Sequence, residues 1–282
     1  MKPANIILES EQEVDEDDVG PGILDSEIDR ALQDMKGNKA TGIDKIPVEL
    51  LKNVGGRGKG EFYNLCRKIY EEGKWPEDFT KTILIPLQKK HNAVECRDYR
   101  TISLISHAAK VILRILNRRI EGKLKGKIGE DQFGFQKGKG TRDAIGVMRV
   151  LVERNLEFKK DVFACFVDFE KAFDRVQWPK LMEILKKIGL DWKDRRLVQN
   201  LYLNQTARIR TTEGESGWAE LGRGVKQGCP LSPSLFNIYA EEMVNEAWEE
   251  ISKGVRVGGE MVKSVRYADD KAIVCDSERG LQ

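Results

Sequence analysis

The segment 265–274 constrains the fold of this chain most, because it places two adjacent carboxylates between two short apolar runs. Apolar runs of this length around a polar pair predict a β-hairpin with Asp269 and Asp270 at its turn. An isolated Asp pair commonly serves a turn through hydrogen bonds to its own backbone. Beside apolar strands, however, unneutralised carboxylates repel each other and are costly to desolvate. A divalent cation such as Mg²⁺, which prefers carboxylate oxygen, would remove that cost.

A third carboxylate follows another apolar segment. Residues 162–167 are nearly all apolar, which predicts a fully buried strand that ends at Asp168. If this strand lies beside the hairpin, Asp168 and Asp269 would bind two metal ions about 3.5–4 Å apart. Such a site suits phosphoryl transfer, which depends mainly on positioning and charge neutralisation.

The composition is that of a globular protein. Of the 282 residues, 40% are hydrophobic and 33% are charged, which argues against a disordered chain. No apolar run reaches the roughly 18 residues of a transmembrane helix, and the first residues lack the pattern of a signal peptide. The five cysteines are scattered and form no C-x-x-C pair. They predict reduced thiols in an intracellular protein and argue against a zinc site or a disulfide scaffold.

The net charge of +2 conceals a strong asymmetry along the chain. Residues 1–36 carry 3 Lys/Arg against 11 Asp/Glu, and residues 1–24 are expected to form an acidic, linker-like segment. Residues 81–142 carry 15 Lys/Arg against 5 Asp/Glu. This basic segment predicts a phosphate-binding surface, although a solvated charged face is the commoner explanation of any single basic cluster.

Two further segments carry local signals. Residues 83–85 are expected to form a short buried strand that Pro86 ends. Residues 224–233 form a glycine-punctuated loop before a helix, and such a loop lets backbone approach a ligand closely.

The order of these features resembles the reverse transcriptase domain of a non-LTR (LINE-type) retrotransposon. Residues 166–174 resemble the first catalytic motif of that family, residues 227–233 its nucleotide- and template-contacting motif, and residues 267–270 its second catalytic motif, Tyr-Ala-Asp-Asp. The fingers motifs of that family are similar to three further segments of this chain, residues 39–44, 85–104 and 132–143. The resemblance extends over about residues 25–282.

This resemblance implies an α+β fold of the right-hand polymerase type, with fingers in residues 25–160 and a palm in residues 161–282. The palm would be an antiparallel sheet packed on helices. Only 12 residues follow Asp270, so we expect a domain truncated before the thumb. The implied activity is RNA-directed DNA polymerisation, which adds deoxynucleotides to a primer 3′-hydroxyl with two Mg²⁺ ions, or Mn²⁺. The implied partners are an RNA template, a DNA primer and deoxynucleoside triphosphates, in the nucleus or cytoplasm.

The resemblance also implies roles for individual residues. Asp168 and Asp269 would hold the metal ions, and Asp270 would support the site. Nucleotide binding is implied for Arg100 at the triphosphate, for Lys89 or Lys90 beside it, for Phe173 as the residue that excludes a 2′-hydroxyl, and for Gln227 and Gly228. Contact with primer or template is implied for Tyr267, Gln132 and Phe133.

Other interpretations stay open. The chain could be a catalytically silent, nucleic-acid-binding remnant of such a polymerase. An RNA-templated RNA polymerase or a nucleotide cyclase with a similar palm is disfavoured by Phe173 and by Gln227-Gly228. Lys271 follows the acidic pair where the family commonly has a neutral residue. Its ammonium could pair with the carboxylates and compete with metal, or point away from them.

Overall fold

The structure is a computed structural model that describes residues 13–249 and 253–282. The first half of the expected acidic segment 1–24 therefore lies outside the described residues. The described chain forms two compact units. The first unit comprises the residues up to Lys123 together with Phe173–Ser232, and the second comprises Leu124–Ala172 and Pro233–Gln282. The division into fingers at 25–160 and palm at 161–282 stays a prediction.

Helices and short strands alternate along the chain. The helices are α1 (Glu16–Val19), α2 (Asp25–Gln33), α3 (Val48–Asn53), α4 (Gly56–Glu72), α5 (Glu77–Thr80), α6 (His107–Leu124), α7 (Thr141–Glu157), α8 (Ala172–Arg175), α9 (Trp178–Lys187), α10 (Trp192–Leu203), α11 (Ser232–Trp248) and α12 (Glu278–Leu281). The strands are β1 (Lys81–Gln88), β2 (Tyr99–Leu104), β3 (Phe163–Val167), β4 (Thr206–Ile209), β5 (Ala219–Glu220), β6 (Val255–Val257), β7 (Glu260–Val262), β8 (Ser264–Tyr267) and β9 (Asp270–Cys275). No helix in 13–249 or 253–282 is both long enough and apolar enough to span a bilayer.

The first unit contains a four-stranded sheet of order β2-β1-β4-β5. Strand β1 pairs antiparallel with β2 and parallel with β4. The expectation that Pro86 ends the first strand is wrong, because β1 continues through Pro86 to Gln88. The pairing of β1 with β4 ends at Leu84. Pro86, two residues further along β1, has no N–H to donate to β4. Pro86 thus ends the pairing with β4 while β1 and β2 remain paired.

Helix α6 is the centre of the first unit. Its buried side chains include Ala109 and Leu113 on one side of the helix and Val111 and Ile115 on another. Its Arg119 donates hydrogen bonds to Glu27 of α2 at 2.9 Å, to Tyr70 of α4 at 2.7 Å and to Asp194 of α10 at 3.2 Å. One guanidinium therefore holds three other helices against α6.

The second unit is built on an antiparallel sheet of order β3-β9-β8 that packs against α7. Its buried core consists of Phe133, Ala144, Leu151, Val255, Val265 and Val274. The α+β prediction is confirmed, but the prediction that residues 162–167 are fully buried is wrong. Strand β3 lies at the sheet edge, and Phe166 is 77% exposed. An all-apolar run does not reveal whether one or both faces of its strand are covered.

Candidate active site

The predicted hairpin is confirmed, and its turn has a strained conformation. Tyr267 of β8 pairs with Asp270 of β9, so that Ala268 and Asp269 form a two-residue turn. Ala268 has a φ of 57°, which a residue with a Cβ rarely adopts. It is also buried. The surrounding structure must therefore hold this turn in place.

The three predicted acids lie at one end of the sheet of the second unit. Val167 of β3 pairs with Lys271 of β9, so the next residue, Asp168, lies beside Asp270. Asp168 and Asp270 are exposed and line a groove of about 380 Å³. Burial raises the pKa of the Asp269 carboxyl, and the nearby carboxylates of Asp270 and Asp168 add to that rise. The three acids are thus close enough to repel one another electrostatically.

The donor set suits a hard divalent cation. Within the described residues, no group of three or more His, Cys, Asp or Glu side chains is arranged so that it could hold a metal ion. Mg²⁺ at nucleotide sites is usually bound by only one or two carboxylates, together with water and substrate phosphates. Asp168, Asp269 and Asp270 offer only oxygen ligands, and they fit an ion of this kind.

Lys271 does not pair with these acids. Its Nζ lies 4.9 Å from the centre of the Phe169 ring, and no carboxylate of the described chain forms an ion pair with it. It pairs across the sheet with Arg266, which lies on the same face. Burial lowers the pKa of Lys271, and the charge of Arg266 adds to that effect. Of the two alternatives for this lysine, the structure has the one in which it points away.

The residues predicted to contact primer or template differ in their exposure. Tyr267 is half-buried and lines the groove beside Asp270. Phe133 belongs to the buried core, and its N–H donates to the carbonyl of Arg266 at 2.8 Å. Gln132 is 1% exposed, and its Oε1 accepts a hydrogen bond from the N–H of Ala268 at 2.9 Å. A template contact for Gln132 and Phe133 stays a prediction, and their side chains lie in the interior of the second unit.

Three of the six predicted nucleotide-binding residues lie in or beside the loop 224–228 of the first unit, namely Phe173, Gln227 and Gly228. The N–H of Val225 donates to the carbonyl of Phe173 at 2.8 Å, which fixes one end of the loop. The carbonyl of Gln227 accepts from the N–H of Ser103 in β2 at 2.8 Å. Gly228 has a φ of 97° and faces the carbonyl of Ser103, where an added Cβ would lie 3.2 Å away. The loop therefore links Phe173 to β2.

The predicted phosphate-binding cations lie on the β1–β2 hairpin. Arg100 is exposed and pairs with Leu87 across the two strands. Lys90 forms a 2.8 Å ion pair with Asp98. A hydrogen bond from Lys90 is the main cause that lowers the pKa of the Asp98 carboxyl to about 2. Lys89 is exposed and makes no ion pair with a described residue.

Two buried cations were missed by the sequence analysis. Nζ of Lys226 donates to Oγ1 of Thr82 at 2.8 Å beneath the loop. Nε of Arg266 donates to Oδ2 of Asp131 at 2.8 Å, and its Nη1 donates to Oε2 of Glu241 at 3.1 Å. No local signal in the sequence marks either cation as buried, and Lys226 stands in a loop between Val225 and Gln227. Their partners lie far away in sequence.

Residues 87–282 match the sequence profile of the family described as "Reverse transcriptase (RNA-dependent DNA polymerase)". The chain belongs to the reverse transcriptase family. The resemblance drawn from its motifs is thereby confirmed.

Its relatives include proteins named for mobile elements. The retrovirus-related Pol polyprotein from the type-1 retrotransposable element R2 of Nasonia vitripennis is 26% identical over 221 residues, which are 78% of this chain and 21% of that protein. The RNA-directed DNA polymerase from mobile element jockey of Drosophila funebris is 24% identical over 254 residues, which are 89% of this chain and 27% of that protein. The chain thus spans about a fifth to a quarter of these relatives.

A solved structure supports the polymerase fold. Apo telomerase from Candida tropicalis, truncated from its C-terminal domain, matches with a TM-score of 0.52 and 14% sequence identity. The match covers 86% of this chain and 53% of that chain. At this level of identity the likeness concerns the fold alone.

Proposed function

We propose that this chain carries the catalytic centre of an RNA-directed DNA polymerase, which extends a primer 3′-hydroxyl with deoxynucleotides on an RNA template. The observation that supports this most is the antiparallel pairing of β3 with β9, because it brings Asp168 beside Asp270 and the turn of Asp269. Membership of the reverse transcriptase family supports the reaction type. The relative from jockey is itself named an RNA-directed DNA polymerase.

In this proposal Asp168 and Asp269 bind two divalent ions, Mg²⁺ or Mn²⁺, and Asp270 supports them. When bound, such ions lower the pKa of the attacking hydroxyl and neutralise the triphosphate and leaving pyrophosphate. Burial is the main cause of the raised pKa of Asp269, and repulsion by Asp270 and Asp168 adds to it. A bound cation would relieve that repulsion, which favours its binding at these acids. Lys271 leaves them available, because its ammonium lies over Phe169.

The first unit would bind the incoming nucleotide. Arg100 is exposed and suited to grip a triphosphate, since a guanidinium donates two parallel hydrogen bonds to phosphate oxygens. Lys89 is the better candidate for the assisting lysine, because Lys90 is engaged by Asp98. Phe173 would exclude a ribose 2′-hydroxyl by its bulk. Gln227 and Gly228 would contact the nucleotide and the template.

Primer extension on poly(rA) with an oligo(dT) primer tests the proposal. Incorporation of dTTP should require Mg²⁺ or Mn²⁺ and stop when EDTA is added. Asp269→Asn should lower the rate at least ~10²-fold, because a metal ligand loses its charge. Asp161→Asn is the matched control, since Asp161 is an exposed acid just before β3. Equal rates for Asp269→Asn and the control would contradict the proposal. Nucleic-acid binding without incorporation would support the silent remnant instead.

A further inference from the structure

The turn that carries Asp269 is held by one side chain from a distant segment. Oε1 of Gln132 accepts hydrogen bonds from the N–H of Ala268 at 2.9 Å and from the N–H of Gly134 at 2.8 Å. Nε2 of Gln132 donates to the carbonyl of Ala268 at 3.5 Å, the longest of the three. The amide thus contacts both peptide groups that flank Ala268. One of those peptide groups is shared with Asp269.

This arrangement matters because Ala268 adopts a positive φ. A two-residue turn can change type by rotating a peptide plane, and the rotation would change where the Cα–Cβ bond of the next residue points. The next residue is Asp269. With both flanking peptide groups bonded to Gln132, such a rotation would break at least one buried hydrogen bond and leave a buried polar group without its partner.

The segment that carries Gln132 is itself fixed to the same hairpin. The backbone carbonyl of Asp131 accepts a hydrogen bond from the N–H of Arg266 at 2.8 Å. The N–H of Phe133 donates to the carbonyl of Arg266 at 2.8 Å. The Arg266 guanidinium donates to Asp131 and to Glu241 of α11. Asn237 of α11 donates to the carbonyl of Gly134 at 2.9 Å. The position of Gln132 is therefore set by backbone pairing and by a helix, both within the second unit.

We infer that Gln132 is a positioning residue for the metal-binding turn, acting through the backbone of Ala268 rather than touching the template. This inference rests on the proposed polymerase function. It differs from the template contact that the sequence resemblance implied for Gln132.

The test compares Gln132→Leu, which removes the acceptor, with Gln132→Glu, which keeps an acceptor oxygen at the same reach. Burial beside other acids favours the protonated form of that carboxyl, which also keeps a donor for the Ala268 carbonyl. Gln136→Leu is the matched control, because this glutamine lies in the same segment and its side chain forms no hydrogen bond with a described residue. We expect Gln132→Leu to lower kcat about 10²-fold with little change in the KM for primer-template, since small misplacements of reacting groups cost that much. Gln132→Glu should recover kcat to within a few fold of the native value, and the control should match the native protein.

A second measurement does not depend on catalysis. Mn²⁺ binding, followed by electron paramagnetic resonance, should weaken about 10-fold in Gln132→Leu and recover in Gln132→Glu. If Gln132→Leu does not fold, Gln132→Asn replaces it, because its shorter side chain withdraws the acceptor with less change in polarity.

The outcomes separate the inference from the proposed function. An active native chain with unchanged kcat in the Leu and Asn variants would overturn the inference alone. A raised KM for primer-template at unchanged kcat would also overturn it and support a template contact. An inactive native chain would overturn the proposed function, and the Mn²⁺ affinities would then decide the inference by themselves.

Discussion

Gly134 lies so close to the hairpin turn that a side chain there would collide with backbone. A Cβ added at this position would be 2.2 Å from the nitrogen of Ala268. The close approach lets the Gln132 amide reach the turn. Gly134 therefore helps to position Asp269, because it has no side chain that would push the turn away.

We predict that Gly134→Ala destabilises the protein by about 1–3 kcal/mol, the usual cost of forcing extra atoms into a packed site. Gly146→Ala is the control, because Gly146 lies within α7 and an added Cβ meets nothing within 4 Å. That substitution should stabilise the protein by about 0.5–1 kcal/mol, since alanine favours helix. Urea unfolding measures both. A neutral Gly134→Ala would show that the turn yields easily.

Burial of Lys226 should make the stability of the protein depend on pH. Burial lowers its pKa to about 8, and the nearby Cys229 opposes this shift. Below pH 8 the lysine is charged in both folded and unfolded chains, so the cost of burying the charge is fully present. Between about pH 8 and its ordinary pKa near 10.5, the folded chain has lost the proton and the unfolded chain retains it. The free energy of unfolding should therefore rise across this window because of Lys226.

Lys226→Met should remove that rise. Between pH 8 and 9.5 the native protein should gain about 2 kcal/mol relative to the variant, from roughly 1.4 kcal/mol per pH unit. Lys68→Met is the control, because the side chain of Lys68 is 71% exposed on α4. Urea unfolding at several pH values checks this, and parallel curves for the native protein and Lys226→Met would contradict it.

At the scale of elements, the sequence was informative where the signal was local. The two strands around Asp269 and Asp270 were predicted from apolar runs that flank a polar pair. The exposure of β3 was not, because it depends on which elements cover each face of the sheet. The roles of Arg266 and Lys226 were also missed, since their partners Asp131 and Thr82 lie 135 and 144 residues away in sequence. Pairing over such distances has no local signature.

Helix α7 illustrates the same limit and yields a matched test. Leu151 and Leu156 both lie in α7, but Leu151 is 2% exposed and Leu156 is 66% exposed. Leu151→Ala should destabilise the protein by about 2–5 kcal/mol, because it leaves a cavity in the core of the second unit. Leu156→Ala should change stability by less than about 0.5 kcal/mol. Urea midpoints decide, and similar losses for both variants would mean that α7 packs through a different face.

At the scale of the whole molecule, ion pairs within the protein neutralise part of the charge asymmetry. At least six of the fifteen basic residues in 81–142 form ion pairs within the protein, namely Lys81, Lys90, Arg97, Arg118, Arg119 and Lys123. Two of their partners, Glu27 and Asp34, come from the acidic first 36 residues. Part of the asymmetry is thus neutralised internally, and only the unpaired cations are available to phosphates.

The dependence of nucleic-acid binding on salt should distinguish paired from unpaired cations. Lys137 and Arg142 are exposed and have no ion-pair partner among the described residues, whereas Arg118 is bound to Asp34. Each phosphate contact releases counterions, so the affinity for RNA should fall steeply as salt rises. Replacing both Lys137 and Arg142 by Ala should reduce the slope of log affinity against log salt by about 1.4 for a single strand. Arg118→Ala should leave the slope unchanged, because its charge is already neutralised by Asp34.

Fluorescence anisotropy with labelled RNA at several salt concentrations measures these slopes. If Arg118→Ala reduced the slope as much as the double variant, the internal ion pairs would not decide which cations meet the phosphates. The basic segment would then act through its total charge alone.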